Sequence, residues 1–182
     1  MNLKIERRSA LRYLGLPVLL AALTLLKYRQ QDAMTLLRSL LLLAFGYCAA
    51  VRDLRTRTVP NLLLLVMLAA WVLWAAALAL VQWELLLRLL LPSLAGGLVL
   101  SGAALLVYLL SRKGLGGGDV KFLAVAGLYL TVGPGLTAVI LGTLLSALTA
   151  LVLMALRKLS VKDAIPLIPF LYVGILAVLF LS

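Results

Sequence analysis

The chain has 182 residues, and hydrophobic residues make up 65% of them. Soluble domains are about 45–50% apolar, so this composition predicts an integral membrane protein with one polytopic domain and excludes a separate soluble domain. The net charge of +11 comes from seventeen Lys and Arg residues, which are spread over short segments between apolar runs. This distribution argues against nucleic-acid binding, which would gather these residues on one soluble face.

The inventory of reactive side chains is short. There is no histidine, and the one cysteine, Cys48, lies inside an apolar run. A His-based triad, a disulfide framework and a multi-Cys metal site are therefore not expected, and we expect neither a metal nor a cofactor. Acid–base chemistry must come mainly from six acidic residues: Glu6, Asp32, Asp53, Glu84, Asp119 and Asp163.

The first 30 residues are expected to stand apart from the rest of the chain. Residues 1–12 are basic, and the apolar run 13–26 has only 14 residues. A signal peptide would fit this pattern, but no small-residue cleavage site follows. We therefore expect a retained extra helix, with a helix lying in the membrane interface as the alternative, and a membrane domain over residues 31–182.

Six core spans are predicted in the membrane domain. The apolar runs are 33–51, 61–82, 85–110, 120–132, 136–156 and 164–181. The run 120–132 is short, because thirteen residues of helix reach about 20 Å and the hydrocarbon core of a bilayer is about 30 Å thick. The pair Gly96 and Gly97 predicts a bend or close packing in the third run. The expected fold class is an all-α polytopic transmembrane helix bundle, with an extra N-terminal helix.

The basic residues predict the orientation of the spans. With the amino terminus inside, thirteen of the seventeen Lys and Arg residues fall on the cytosolic side and four on the outer side, as the positive-inside rule requires. Two spans separate Asp53 from Asp119, and two crossings return the chain to the side that it left. Both aspartates are therefore predicted to lie at the cytosolic edge of the plasma (inner) membrane.

A pair of neighbouring carboxylates has a defined chemistry. Two carboxylates about 3 Å apart cannot both ionise, so one of them keeps a proton. The ionised member can take a proton from water while the protonated member polarises a peptide carbonyl, which is peptide hydrolysis without a metal. Asp119 precedes a predicted helix, whose positive end favours an anion, so we expect Asp119 to be the more readily ionised member.

Each signal taken alone has a simpler explanation. A single Asp in a basic loop is usually a solvated charge, and a glycine-rich segment is usually a turn. Small residues recur every four positions along the sixth predicted helix of the chain, from Ala138 to Ala150, and are most simply a packing face. Pro166 and Pro169 are most simply residues that begin or kink a helix. The combination of these signals favours a functional site.

Three segments together resemble the type IV prepilin peptidases, which are aspartic peptidases of the GxGD type. Residues 116–122 read GGGDVKF and match the GxGDxK motif of that family. Residues 53–61 read DLRTRTVPN and are similar to its first catalytic segment, and residues 165–170 read IPLIPF and resemble its proline-bearing last span. The resemblance covers residues 34–181.

The resemblance implies catalytic roles for two residues, Asp53 and Asp119. It implies supporting or substrate-binding roles for five more: Gly116, Gly118, Lys121, Pro60 and Asn61. The implied substrate is a prepilin or pseudopilin with a basic leader and an apolar helix held in membrane lipid.

Some features of the family are not matched, and other functions remain open. Bifunctional members carry a cytosolic Cys-rich domain linked to methylation; with one cysteine, this chain resembles a peptidase-only member. A noncatalytic assembly or scaffold subunit of a pilus or secretion machine is an alternative function. A small transporter with both aspartates in an ion path is another.

Overall fold

The described part of the protein is helical and contains no strand. A computed structural model describes residues 18–24, 26–27, 32–110, 115–157 and 165–181. The chain is an all-α membrane helix bundle, as predicted from its composition. Its helices are α1 (Ala33–Thr56), α2 (Asn61–Val81), α3 (Trp83–Leu110), α4 (Gly117–Leu130), α5 (Val132–Ala155) and α6 (Ile168–Leu181).

The helices fall into two length classes. Helices α1, α2, α3 and α5 have 21 to 28 residues and are apolar and long enough to cross a membrane, so the protein is a multi-pass membrane protein. Helices α4 and α6 have 14 residues each and reach about 21 Å. The short helix expected after the glycine-rich segment is therefore present as α4.

Several boundaries differ from the predicted ones. Helix α1 continues five residues beyond the predicted end, so Asp53 lies in its last turn instead of following it; the helix ends where Arg57 takes a left-handed φ of 51°. Helix α5 begins at Val132, four residues before the predicted start at 136, because Pro134 fits the first turn of a helix. Helix α4 begins at Gly117, which places Asp119 in its first turn.

Some predictions fall partly or wholly outside the described residues. Residues 18–24, within the predicted N-terminal helix, are helical. Residues 1–17 lie outside the described part, as do residues 111–114 and 158–164. The predicted last span begins four residues later than expected, at Ile168.

Glycines hold the two short helices against their neighbours. A Cβ at Gly127 of α4 would lie 2.5 Å from the carbonyl oxygen of Gly96 in α3, so the two backbones touch. The close packing that Gly96 and Gly97 predicted is therefore present. In the same way, a Cβ at Gly142 of α5 would lie 2.7 Å from the Cα of Leu171 in α6. Small residues allow such contacts in membranes, where backbones must approach closely to gain packing energy.

Hydrogen bonds fix α4 against α2 as well. The Tyr129 hydroxyl donates to the Met67 carbonyl at 2.7 Å, and the Trp71 indole donates to the Leu128 carbonyl at 3.1 Å. These bonds join the buried sides of the two helices, where few other polar partners exist. They hold the last turn of α4 against the middle of α2.

Candidate active site

Asp53 is held in place by the beginning of α6. Its side chain is 5% exposed, and its Oδ2 accepts a hydrogen bond at 3.2 Å from the backbone N–H of Ile168. The main chain around it is fixed too, since the Arg57 N–H donates to the Asp53 carbonyl at 2.8 Å and ends α1. The carboxylate is therefore anchored by a backbone group far away in the sequence.

Asp119 is anchored by its own glycine-rich segment. Its Oδ2 accepts a hydrogen bond at 3.1 Å from the N–H of Gly116, which precedes the first residue of α4. A Cβ at Gly116 would lie 3.0 Å from that same oxygen. By contrast, a Cβ at Gly117 would meet open space, and one at Gly118 would be 3.7 Å from Val59, an ordinary contact. Of these three glycines, Gly116 is the one at which an added Cβ would press on the Asp119 carboxylate.

Both carboxylates line one cavity of about 860 Å³. The charge of Asp53 acts on Asp119 across it. Its walls come from the end of α1 and the loop after it, the first turns of α2 and α4, the second half of α5 and the segment before α6. The lining residues are Asp53, Arg57, Thr58, Val59, Asn61, Leu115, Gly116, Gly117, Gly118, Asp119, Lys121, Thr143, Ser146, Ala147, Ala150, Ile165, Pro166 and Leu167.

Burial changes the acidity of Asp119, which lies outside the four candidate spans. Removal from water, followed by the nearby charge of Asp53, raises the pKa of Asp119 from 3.8 to about 6. The Gly116 N–H lowers this pKa, but by less. The helix N-terminus favours the ionised form of Asp119. Burial and the second carboxylate raise the pKa of Asp119, and their effect is larger. Burial and the second carboxylate therefore oppose the prediction that Asp119 is the more readily ionised member, whereas the Gly116 N–H favours it by a smaller amount.

The predicted supporting residues are not all in the cavity. Lys121 Nζ donates to Asn61 Oδ1 at 3.1 Å, which joins the first turns of α4 and α2 beside the aspartates. Gly116 and Gly118 also line the cavity. Pro60 does not line it; Pro60 is the N-terminal cap residue of α2, and its carbonyl accepts the Leu63 N–H at 3.0 Å.

Sequence reasoning missed two groups in this site. One is the Ile168 N–H, which donates to Asp53. The one hint of it in the sequence is that Pro169, the next residue, is typical of a helix start, where N–H groups lack intrahelical partners. The other is the cavity wall formed by the second half of α5, where the small-residue spacing predicted packing only. Within the described ranges, no cluster of three or more His, Cys, Asp or Glu side chains could hold a metal ion.

The fold and the site together define a class: a multi-pass, all-helical membrane protein with two buried or half-buried carboxylates in one cavity. A family model described as the type IV leader peptidase family matches residues 40–155, well over half of the chain. The chain belongs to this family and is therefore a membrane peptidase. The match includes both aspartates but ends before α6. No match was found among curated proteins or solved structures.

Proposed function

We propose that the protein is an aspartic endopeptidase that removes the leader from a prepilin or pseudopilin. Cleavage would take place at the cytosolic edge of the plasma (inner) membrane, and residues 31–182 would form the catalytic domain. The observation that carries the proposal is that Asp53 and Asp119, separated in sequence by two membrane-crossing helices, line the same cavity.

The proposed reaction uses the pair with one proton shared between its members. The ionised carboxylate takes a proton from a water molecule, whose oxygen attacks the peptide carbonyl, while the protonated carboxyl donates its proton to the carbonyl oxygen. The resulting tetrahedral intermediate breaks its C–N bond as a proton passes from the pair to the leaving nitrogen. Each carboxylate must be held in position to act as an acid or a base. The Ile168 N–H holds Asp53, and the Gly116 N–H holds Asp119.

The charges of the cavity bear on how the substrate binds. Arg57 and Lys121 line the cavity, and of the described acidic residues only Asp53 and Asp119 do so. A basic leader therefore finds no acidic partner there besides the pair itself. Binding energy must come mainly from the apolar helix of the substrate, which membrane lipid holds at the height of the cavity.

The test is cleavage of a candidate prepilin in membranes by Asp53→Asn and Asp119→Asn variants. Each variant should lose at least about 10³-fold in cleavage rate, because general acid–base catalysis contributes roughly 10²–10⁴-fold and the pair acts as a unit. The control is Glu84→Gln, which changes an exposed acid in the first turn of α3 and should cleave normally. All three variants should insert equally well.

The alternatives predict the opposite result. A scaffold subunit or a small transporter would leave the leader uncut in the parent protein, or would leave cleavage unaffected by both substitutions. A transporter also requires ionisable groups along a path through the membrane, whereas Asp53 and Asp119 line a single cavity between helix ends.

A further inference from the structure

Helix α1 carries an arginine inside a membrane-crossing segment. Arg38 follows Asp32, the N-terminal cap residue of α1, by six positions, so its Cα lies about 9 Å from that end of the helix. The stretch from Asp32 to Asp53 reaches about 32 Å, close to the thickness of the hydrocarbon core. Arg38 therefore lies in the half of the membrane away from the two aspartates. An ionisable residue at this depth is costly and is most often functional.

The guanidinium of Arg38 is only partly satisfied. Its Nε and Nη1 are enclosed by protein and have no hydrogen-bond partner among the described residues. Arginine stays charged in proteins, and burying a charge without a partner costs far more than burying a neutral polar group. Arg38 as a whole is half-buried, so the remaining nitrogen, Nη2, is the one that a ligand can reach. The guanidinium needs an anion that the described residues do not supply.

The acidic residue nearest to Arg38 in the chain is bonded elsewhere. One oxygen of the Asp32 carboxylate accepts the Met34 N–H at 3.0 Å, and the other accepts the side-chain amide of Gln82 at 3.0 Å. Glu84, in the first turn of α3, accepts no hydrogen bond from the Nε or Nη1 of Arg38 either. The two cavity aspartates are at the opposite end of α1. Of the described acids, none is the partner of these two nitrogens.

Trp74 of α2 provides a fixed ring beside the guanidinium. The Cζ of Arg38 lies 5.4 Å from the centroid of the Trp74 ring, which is a cation–π distance. Trp74 is 3% exposed, and its indole N–H donates to the Met34 carbonyl at 2.7 Å. The ring covers one face of the guanidinium and leaves the in-plane N–H groups without an acceptor. Trp74 therefore orients the cation but does not replace an anion.

The direction of the side chain fits a ligand at the membrane surface. Side chains on a helix lean toward its N-terminus, which for Arg38 is the Asp32 end. Long basic side chains near a helix end extend in this way toward the level of the lipid headgroups. Arginine binds phosphate through two parallel N–H groups, and each such pair combines Nη2 with either Nε or Nη1. A phosphate that reaches Nη2 therefore also meets one of the two unpartnered nitrogens.

We infer that Arg38 and Trp74 form a binding site for the phosphate of a membrane phospholipid, in the leaflet away from the catalytic cavity. The sequence neighbours of these two residues, Leu37 and Leu73, are 43% and 70% exposed, and give the acyl chains an apolar surface beside the site. A lipid is the source of phosphate that fits this depth, because a dissolved ion would have to leave water to reach it. The inference does not depend on the proposed function.

Native mass spectrometry of the purified full chain tests the site. The probe is phosphatidylglycerol added in mild detergent, and the measurement is the fraction of chains that keep one lipid. Arg38→Gln should lower this fraction at least about fivefold, because charge-assisted hydrogen bonds are lost. The control is Arg88→Gln, which removes the same charge from an exposed arginine of α3 near the same end of the bundle. Equal loss in both variants, or no retained lipid in the parent, would overturn the inference.

Thermal unfolding distinguishes a lipid from a dissolved ion. Phosphatidylglycerol in excess should raise the Tm of the parent in detergent by roughly 3–8 °C. Inorganic phosphate, and a diacylglycerol with the same chains, should each shift it by less than about 1 °C. A shift with either of them as large as that with phosphatidylglycerol would rule out a phospholipid phosphate as the ligand.

Arg38→Lys is the variant to use if Arg38→Gln fails to fold. It keeps the positive charge but loses the two parallel N–H groups. The rise in Tm on adding phosphatidylglycerol should therefore fall to about half of the parent's or less. A full rise in this variant would show that no paired contact with phosphate is made at Arg38, and the site as described would be wrong.

Discussion

At the scale of single residues, the site depends on how each carboxylate is surrounded. Asp119 is partly buried beside a second carboxylate, and the pKa of Asp119 is raised to about 6 for those two reasons. Asp53 is 5% exposed and hydrogen-bonded to a backbone N–H. Coupled carboxylates titrate as a pair, so a rate profile reports values that belong to the pair.

The raised pKa of Asp119 gives an expected pH dependence. A group with a raised pKa keeps its proton to higher pH, so the pair should hold one proton up to about pH 6 and lose it above that value. The value of kcat/KM for leader cleavage should therefore fall about tenfold per pH unit above that point. The measurement is initial rates in proteoliposomes from pH 4.5 to about pH 8.5. A rate that stays constant through pH 8 would contradict the expectation.

The glycine-rich segment offers a matched pair of substitutions. Gly116→Ala places a Cβ 3.0 Å from Asp119 Oδ2, so the carboxylate must move and its bond to the Gly116 N–H weakens. We expect kcat to fall about tenfold, as for loss of one charge-assisted hydrogen bond. Gly117→Ala meets open space and should change kcat less than twofold. Equal effects of the two substitutions on cleavage would show that the carboxylate position does not depend on Gly116.

At the scale of elements, the site lies where the ends of several helices meet. Asp53 is in the last turn of α1, Asp119 is in the first turn of α4, and Ile168 is the first residue of α6. The first turn of a helix has N–H groups without intrahelical partners. One of them, the Ile168 N–H, donates a hydrogen bond to Asp53. Helix α6 is therefore part of the site although none of its side chains lines the cavity.

Removing that N–H tests the contribution of α6. Ile168→Pro deletes the donor at a position where proline fits a helix start, and leaves a buried carboxylate oxygen unsatisfied, at a cost of about 1–3 kcal/mol. We expect cleavage to fall about 10–100-fold. Ile168→Val keeps the N–H with a side chain of similar size, so it controls for the loss of core packing at this fully buried position. If both variants lose the same activity per folded molecule, packing is the cause and the hydrogen bond is not.

At the scale of the whole molecule, the two carboxylates share a cavity because of helix crossings remote from it. Helix α4 is pressed onto α3 through Gly96 and Gly127, and α6 onto α5 through Gly142 and Gly174. These crossings fix the short helices, whose first turns carry Asp119 and the Ile168 N–H. The geometry of the cavity is therefore set by backbone contacts deeper in the bundle.

The crossing of α3 and α4 gives an expectation about stability. Gly127→Ala would place a Cβ 2.5 Å from the Gly96 carbonyl oxygen, which is backbone and cannot rotate away, so the two helices must separate. We expect a loss of about 2–3 kcal/mol, as for overpacking of a core, measured by thermal unfolding in detergent. Gly102→Ala, with nothing within 4 Å of the added Cβ, should be neutral or slightly stabilising, because alanine is the better helix former. A neutral Gly127→Ala variant would contradict the crossing.

The sequence by itself determined the class of the protein. Its composition requires a membrane bundle, and the number of apolar runs between Asp53 and Asp119 predicts that both residues return to one side. It also identified Gly116, Asn61 and Lys121 as neighbours of that pair, through a motif resemblance, and the described structure has all three lining the cavity. These features follow from local hydrophobicity and from residue order, which a sequence contains directly.

The tertiary structure alone decided three other features: the Ile168 N–H on Asp53, the 3.0 Å approach of a Cβ at Gly116 to the Asp119 carboxylate, and the place of the second half of α5 in the cavity wall. The physical reason is that each depends on a distance between groups remote in the chain or on a side chain's rotamer. Every residue except proline carries the same backbone N–H group, so a sequence gives no sign of which one will meet a carboxylate. Small residues likewise permit a close contact, but only the packed bundle determines whether a helix fills it.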